Sequence, residues 1–236
     1  MLNVLRPFFT RLLTPVSRWL ARTPVTPTMV TVVGTVGVAG GALALFPTGH
    51  LLAGVIVCTV FVFADMLDGT LARIKGSSGA WGAFLDSTLD RIADAAVFAG
   101  LAAYYVNGGN SRLMAGVATY CLVTGSLVSY AKARAQSLGV SCDVGIAERT
   151  ERLLIALVAA GLDGLGVPYV LPAGLWILAV LTTITLGQRV WAVREGTAAA
   201  AAKDKDEAAG APARDDGADR AGQGTGPGGS AGQAKG

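Results

Sequence analysis

Asp65, Asp68, Asp86 and Asp90 fall within one stretch, DMLDGTLARIKGSSGAWGAFLDSTLD, at the ends of two apolar runs. The first two are three residues apart and the last two are four apart, so each pair shares one face of a helix. Ionised carboxylates beside apolar chain are costly unless a cation is held between them. Two such helices, packed side by side, present hard oxygen ligands to one or two divalent ions such as Mg²⁺ or Mn²⁺. Zinc is disfavoured, because no His or Cys lies nearby. The structural alternative is pairing with arginine. Arg73 and Arg91 are close enough in sequence to serve one or two of the acids, but not easily all four.

Small residues surround the acids. Gly69 follows Asp68, Ala72 is one turn on, and Gly76, Gly79 and Gly82 occupy the connection. Missing side chains let backbone approach a ligand closely, and Arg73 offers a guanidinium of the kind that grips phosphate. The combination points to a metal-bridged pyrophosphate rather than to a transported cation. Glycine alone is weak evidence, since membrane helices also use it for close packing.

The elements that must position these residues read as membrane helices. The chain is 236 residues long, 52% hydrophobic and only 15% charged, and runs such as Leu51–Ala64 carry no charge. Six apolar segments stand out: Thr28–Phe46, Leu51–Ile74, Phe84–Val106, Leu113–Ala133, Leu153–Val167 and Val170–Val190. The expected fold class is therefore an all-α integral membrane protein with six transmembrane helices spanning 25–195. Basic residues gather on one side, among them Arg73, Lys75, Lys132, Arg134, Arg149, Arg152, Arg189 and Arg194, against little beyond His50 and Arg112 on the other. The positive-inside rule puts both termini and the aspartates on the cytoplasmic side of the cell membrane. Residues 1–24 carry apolar side chains at helical spacing with arginines between them. They fit an amphipathic juxtamembrane helix rather than a signal peptide. From residue 196 the chain turns to Ala, Gly, Asp and Lys, the composition of a disordered cytoplasmic tail. Cys58, Cys121 and Cys142 make no disulfide framework and are expected as free thiols. No nucleic-acid partner is expected.

Asp65-x2-Asp68-Gly69-x2-Ala72-Arg73-x8-Gly82-x3-Asp86-x3-Asp90 matches at every position the signature of the CDP-alcohol phosphatidyltransferases, which this chain resembles. The resemblance implies a six-helix membrane enzyme, usually a homodimer, with its active site at the cytoplasmic interface. Such enzymes move the phosphatidyl group of a CDP-linked lipid, here CDP-diacylglycerol, onto an alcohol and release CMP. Carried over by position, Asp65, Asp68, Asp86 and Asp90 hold two divalent metals, Mg²⁺ or Mn²⁺. Gly69, Ala72, Arg73 and Gly82 line the CDP site with Pro27 and Thr31, and Asp90 is the general base. Thr28 departs from the Asn or Asp that the family pattern has before the first span.

The acceptor is written downstream. Lys132, Arg152 and Arg189 come from the expected fourth, fifth and sixth helices, at the same end as the aspartates. Their topological reading is anchoring by cations at helix ends. Converging beside the metal site, they suit an acceptor that carries its own phosphate. The runs Ser129-Tyr-Ala-Lys132-Ala-Arg134-Ala and Glu148-Arg-Thr-Glu-Arg152, with Gln188-Arg189, also resemble the actinobacterial branch of the family that makes phosphatidylinositol phosphate. That likeness assigns Lys132, Arg152 and Arg189 to the phosphate of inositol phosphate. Thr150 replaces a proline of that branch, a change expected to alter only a helix start.

The expected activity is thus transfer of phosphatidyl from CDP-diacylglycerol to inositol phosphate. Glycerol 3-phosphate is the nearest competing acceptor; serine or free inositol would leave the three cations without a partner. A divalent-cation transporter or sensor is the alternative of another class. It would place the acids near the bilayer midplane with a polar path to both faces, whereas here they sit at one end of their helices.

Overall fold

The computed structural model describes the backbone of residues 21–75 and 79–210, without the side chains at 65–68, 70, 72, 73 and 203–210. Its regular structure is helical, with no strand among the described residues. Among the described residues six helices run from Pro27 onward: α1 Pro27–Leu45, α2 Leu51–Lys75, α3 Ala80–Asn107, α4 Arg112–Ser137, α5 Arg149–Gly164 and α6 Val170–Gly210. The expected N-terminal amphipathic helix lies almost wholly outside the described residues.

Local sequence explains several boundaries. Thr26 caps α1 by accepting the Met29 N–H at 3.2 Å, with Pro27 in the first turn where no N–H is required. Ser111 caps α4 in the same way, accepting the Met114 N–H at 3.3 Å. Thr150 falls in the first turn of α5, where threonine and proline are both tolerated. The helices outrun the apolar segments mainly at the charged end. Thus α3 begins at Ala80 rather than Phe84, and α4 ends at Ser137 rather than Ala133. At the end of α4, Arg134, Gln136 and Ser137 face out while the backbone ladder continues.

The described part of the tail is helical. The compact unit closes at Gly196, yet residues 197–210 are helical rather than without structure. The run Ala198–Ala202 supplies the highest intrinsic helix propensity available.

Short connections make successive helices antiparallel, and α1 packs on α2 and α3, α3 on α4, and α2 and α4 on α5. The core is built from Val38 and Ala42 of α1 with Phe46 just beyond its end, Val97, Phe98 and Leu101 of α3, and Leu171, Leu175 and Leu178 of α6, with small residues at the crossings. At Gly100 an added Cβ would stand 2.6 Å from the Ala42 carbonyl oxygen, so α1 and α3 touch backbone to backbone. Threonine hydroxyls join α4 to α6, Thr124 to Thr182 at 3.0 Å, as does the Tyr120 phenol with Thr183 at 2.8 Å. Such contacts hold helices together where apolar burial cannot distinguish protein from lipid.

Large apolar side chains cover the outside. Val36, Val60, Leu113, Ile177 and Val190 are all more than half exposed. A surface of that kind belongs in lipid rather than water. Pro27–Leu45, Arg112–Ser137 and Val170–Ala202 are long and apolar enough to cross a membrane, and Leu51–Ala64 is a shorter apolar stretch. The chain is a helical membrane protein.

Candidate active site

Helix α3 carries Asp86, Asp90 and Asp94 at intervals of four, hence on one face. Asp86 is exposed at the open end; Asp90 and Asp94 are progressively more enclosed, with side chains 18% and 14% accessible. Facing them is the first turn of α5. Arg149 Nη2 reaches Asp90 Oδ1 at 2.9 Å, and its Nε donates to Asp94 Oδ1 at 3.1 Å. Arg152 Nη2 donates to Asp94 Oδ2 at 3.0 Å and Nη1 to the Ala147 carbonyl at 3.3 Å. Asp94 therefore divides its two oxygens between two arginines.

The start of α5 is held in place from α6. Thr185 Oγ1 accepts the N–H groups of Ile146 and Ala147 at 3.2 and 3.0 Å. Close contact is possible because Gly145, at φ +134°, has no Cβ to strike the Thr185 methyl. Arg189, one turn further along α6, is almost fully buried. Its Nη1 donates to the Val128 carbonyl of α4 at 2.6 Å and its Nε to the Val144 carbonyl at 3.0 Å. Its Nη2 stands 4.0 Å from Glu148 Oε1. Lys132, at the end of α4, pairs with Asp143 of the following loop at 2.7 Å. That hydrogen bond, with the ammonium charge behind it, holds the Asp143 carboxyl below the usual carboxylate range.

These groups enclose one cavity of about 210 Å³, lined by Asp90, Arg91, Asp94, Ser129, Lys132, Glu148, Arg149, Arg152 and Arg189. Lys132, Arg152 and Arg189, singled out in the sequence from three separate helices, thus meet in one pocket beside Asp90. Asp94 and Glu148 add carboxylates that the sequence reading did not single out. Asp94 had a legible signal, since it continues the spacing of Asp86 and Asp90 by one further turn. Arg149, counted in the sequence only among the cations of one side, joins Asp90 to Asp94.

Among the described positions, Pro27, Thr31, Gly69 and Gly82 are not part of this lining. Pro27 and Thr31 stand at the start of α1, where the buried Thr31 hydroxyl donates to the Pro27 carbonyl at 3.1 Å. Lys75 Nζ donates to the carbonyls of Thr23 and Val25 at 3.0 and 2.7 Å, tying the approach to α1 to the aspartate end of α2. Gly69 and Gly82 are exposed, with open space where a Cβ would project. Asp65, Asp68, Ala72 and Arg73 belong to the last turns of α2, and their side chains lie outside the described residues. Since only residues 76–79 separate α2 from α3, chain reach keeps that end of α2 near Asp86. The described donors there are carboxylates with no His or Cys among them, a chemistry that fits Mg²⁺ or Mn²⁺. No cluster of three metal-binding side chains occurs among the described residues.

Comparison with known proteins gives the same answer. A Streptomyces avermitilis phosphatidylinositol phosphate synthase is 48% identical over 217 residues, covering 87% of this chain and 89% of that protein. The Mycobacterium tuberculosis phosphatidylinositol phosphate synthase is 44% identical over 191 residues, 80% of this chain and 88% of the relative. The crystal structure of the M. tuberculosis enzyme with CDP-DAG bound superposes with a TM-score of 0.75 at 44% identity, over 78% of this chain and 94% of that one. Its complex with manganese and citrate gives 0.74 at 44% identity, over 77% and 88%. The CDP-alcohol phosphatidyltransferase family model matches residues 24–185, and with the aspartate signature in its expected helices the chain belongs to that family of transferases.

Proposed function

We propose that the protein is a phosphatidylinositol phosphate synthase, transferring phosphatidyl from CDP-diacylglycerol to a hydroxyl of inositol phosphate and releasing CMP. The observation that carries the acceptor is the cavity beside Asp90. Five cationic side chains and three carboxylates line it, an excess of positive charge. A phosphate monoester brings about −1.5 to −2 at neutral pH, which that excess attracts. Neutral inositol or zwitterionic serine brings no such charge. Relatives named for this activity, at 44–48% identity, support the same choice.

In this reading Lys132, Arg152 and Arg189 hold the acceptor's phosphate, which brings its ring hydroxyl toward Asp90. Pro27, Thr31, Gly69, Ala72 and Gly82 border the cytidine diphosphate, and Arg73 donates to its phosphate oxygens. Asp65, Asp68, Asp86 and Asp90 would hold Mg²⁺ or Mn²⁺, two ions per site, which would supply Lewis-acid stabilisation of the pyrophosphate. Asp90 takes the hydroxyl proton as the acceptor oxygen forms the new bond to the β-phosphorus. The bond to CMP breaks in line with that attack, and CMP leaves with the electron pair.

The same reading places six spans in the cell membrane, both termini and the site on the cytoplasmic side, and two copies in a homodimer. The test is purified protein given CDP-diacylglycerol, Mg²⁺ or Mn²⁺, and each acceptor in turn. CMP is expected with inositol phosphate. Release with glycerol 3-phosphate alone would overturn the acceptor, and no release with any acceptor would favour a cation transporter or sensor.

A further inference from the structure

Asp94 is the best-connected carboxylate in the pocket, and the family signature stops one turn short of it. Its two oxygens serve different arginines, Oδ1 taking Arg149 Nε at 3.1 Å and Oδ2 taking Arg152 Nη2 at 3.0 Å. Arg152 is only 2% exposed. A buried guanidinium keeps one orientation only where its donors are met. Beyond Asp94 it has one carbonyl, Ala147, and its Nε has no hydrogen-bond partner beside Gly125. Asp94 is thus the one anionic partner of Arg152 among the described residues. Through Arg149 it also fixes the partner of Asp90.

Two roles can be separated. Asp94 could serve by its charge, offsetting the arginines, or by its placement, aiming them. Pure charge would work against the acceptor, because a carboxylate in the pocket repels a phosphate. Placement needs two acceptor atoms in two directions, which is the geometry present. We infer that Asp94 is a positioning residue that aims Arg152 at the acceptor phosphate and so sets the preference for a phosphorylated acceptor. This inference rests on the proposed acceptor.

Asp94→Asn tests it, because the side chain keeps its shape but turns one acceptor into an N–H₂ donor facing an arginine. Asp94→Glu keeps the charge and displaces it by one methylene. CMP release is measured against inositol phosphate at saturating CDP-diacylglycerol, and then against CDP-diacylglycerol. Both variants are expected to raise the KM for inositol phosphate roughly ten- to a hundredfold, the loss of one charged hydrogen bond, with the KM for CDP-diacylglycerol unchanged. Added to Arg152→Gln, Asp94→Asn should raise the acceptor KM little further, since its effect acts through Arg152. A purely structural role would instead lower the turnover of every sample alike and leave both KM values in place. Wild-type KM in Asp94→Glu, or a lowered KM in Asp94→Asn, overturns the inference in favour of charge alone. Should Asp94→Asn fail to fold, Asp94→Glu decides. Failure of the acceptor assignment itself appears separately, as wild-type protein that releases no CMP with inositol phosphate.

Discussion

Arg189→Lys separates the two tasks that the structure gives Arg189. The arginine bridges three elements, with Nη1 on the Val128 carbonyl of α4 and Nε on the Val144 carbonyl of the loop, from its own position on α6. It also lines the acceptor pocket. Lysine keeps the positive charge but offers one compact ammonium in place of a rigid fork. The two carbonyls lie on different elements, so one ammonium can serve one of them while the other loses a charged donor. The cost is about 1.5–3 kcal/mol, the range for hydrogen bonds to charged groups. For a chain of this size about 2 kcal/mol lowers the unfolding midpoint by roughly 4–8 °C.

The acceptor side responds more weakly. Charge attraction survives, so the KM for inositol phosphate should rise about tenfold through loss of the fork, while the KM for CDP-diacylglycerol stays fixed. The assays are thermal unfolding in detergent and CMP release with each substrate varied. A lowered midpoint with an unchanged acceptor KM would refute the acceptor role and leave Arg189 as an anchor. Unchanged values of both would refute the bridging geometry as well.

Other perturbations bear on neighbouring parts. Gly100→Val forces side-chain carbons onto the Ala42 carbonyl; it should destabilise by about 1–3 kcal/mol as overpacking does, seen as a lower unfolding midpoint with no selective change in either KM. Asp143→Asn removes the partner of Lys132 from a largely exposed loop position. It should leave the midpoint unchanged and modestly lower the acceptor KM, because Asp143 competes with phosphate for the same ammonium. The Asp143 carboxyl is held below its ordinary value by the Lys132 hydrogen bond, so the pair persists at neutral pH and is lost only as pH falls through that lowered value. Wild-type acceptor KM should accordingly pass through the ordinary carboxylate range without a step from this group. Asp90→Asn should abolish CMP release even at high Mn²⁺, and turnover retained with metal still bound would exclude Asp90 as the base. Chelation should stop CMP release, with Mg²⁺ or Mn²⁺ restoring it and Zn²⁺ failing to.

Helix existence was legible because apolar runs of this length admit little else in a membrane chain. Ends were less legible at the charged side. There α3 and α4 continue past their apolar segments into Trp81-Gly-Ala and Arg134-Ala-Gln-Ser137, where composition changes but the hydrogen-bond ladder does not. The tail shows the converse: polarity implied no structure, and a run of alanines formed helix regardless. Convergence of Lys132, Arg152 and Arg189 was readable from topology alone, since each sits at the same end of an antiparallel bundle.

What could not be read was which counter-ion each cation takes, because partners such as Asp94 and Arg152 lie 58 residues apart. The least visible contributors are threonines. In an apolar run Thr182 and Thr185 look like helix-compatible filler, because such a hydroxyl can bond the carbonyl one turn back, as Thr182 does with Leu178 at 2.8 Å. Thr185 instead accepts two loop N–H groups, and with Gly145 it fixes where α5 begins. The directions of Arg149 and Arg152 follow from that start. A hydroxyl on α6 thus helps to set how two cations on another helix face the aspartates, and nothing in local sequence distinguishes it from its neighbours.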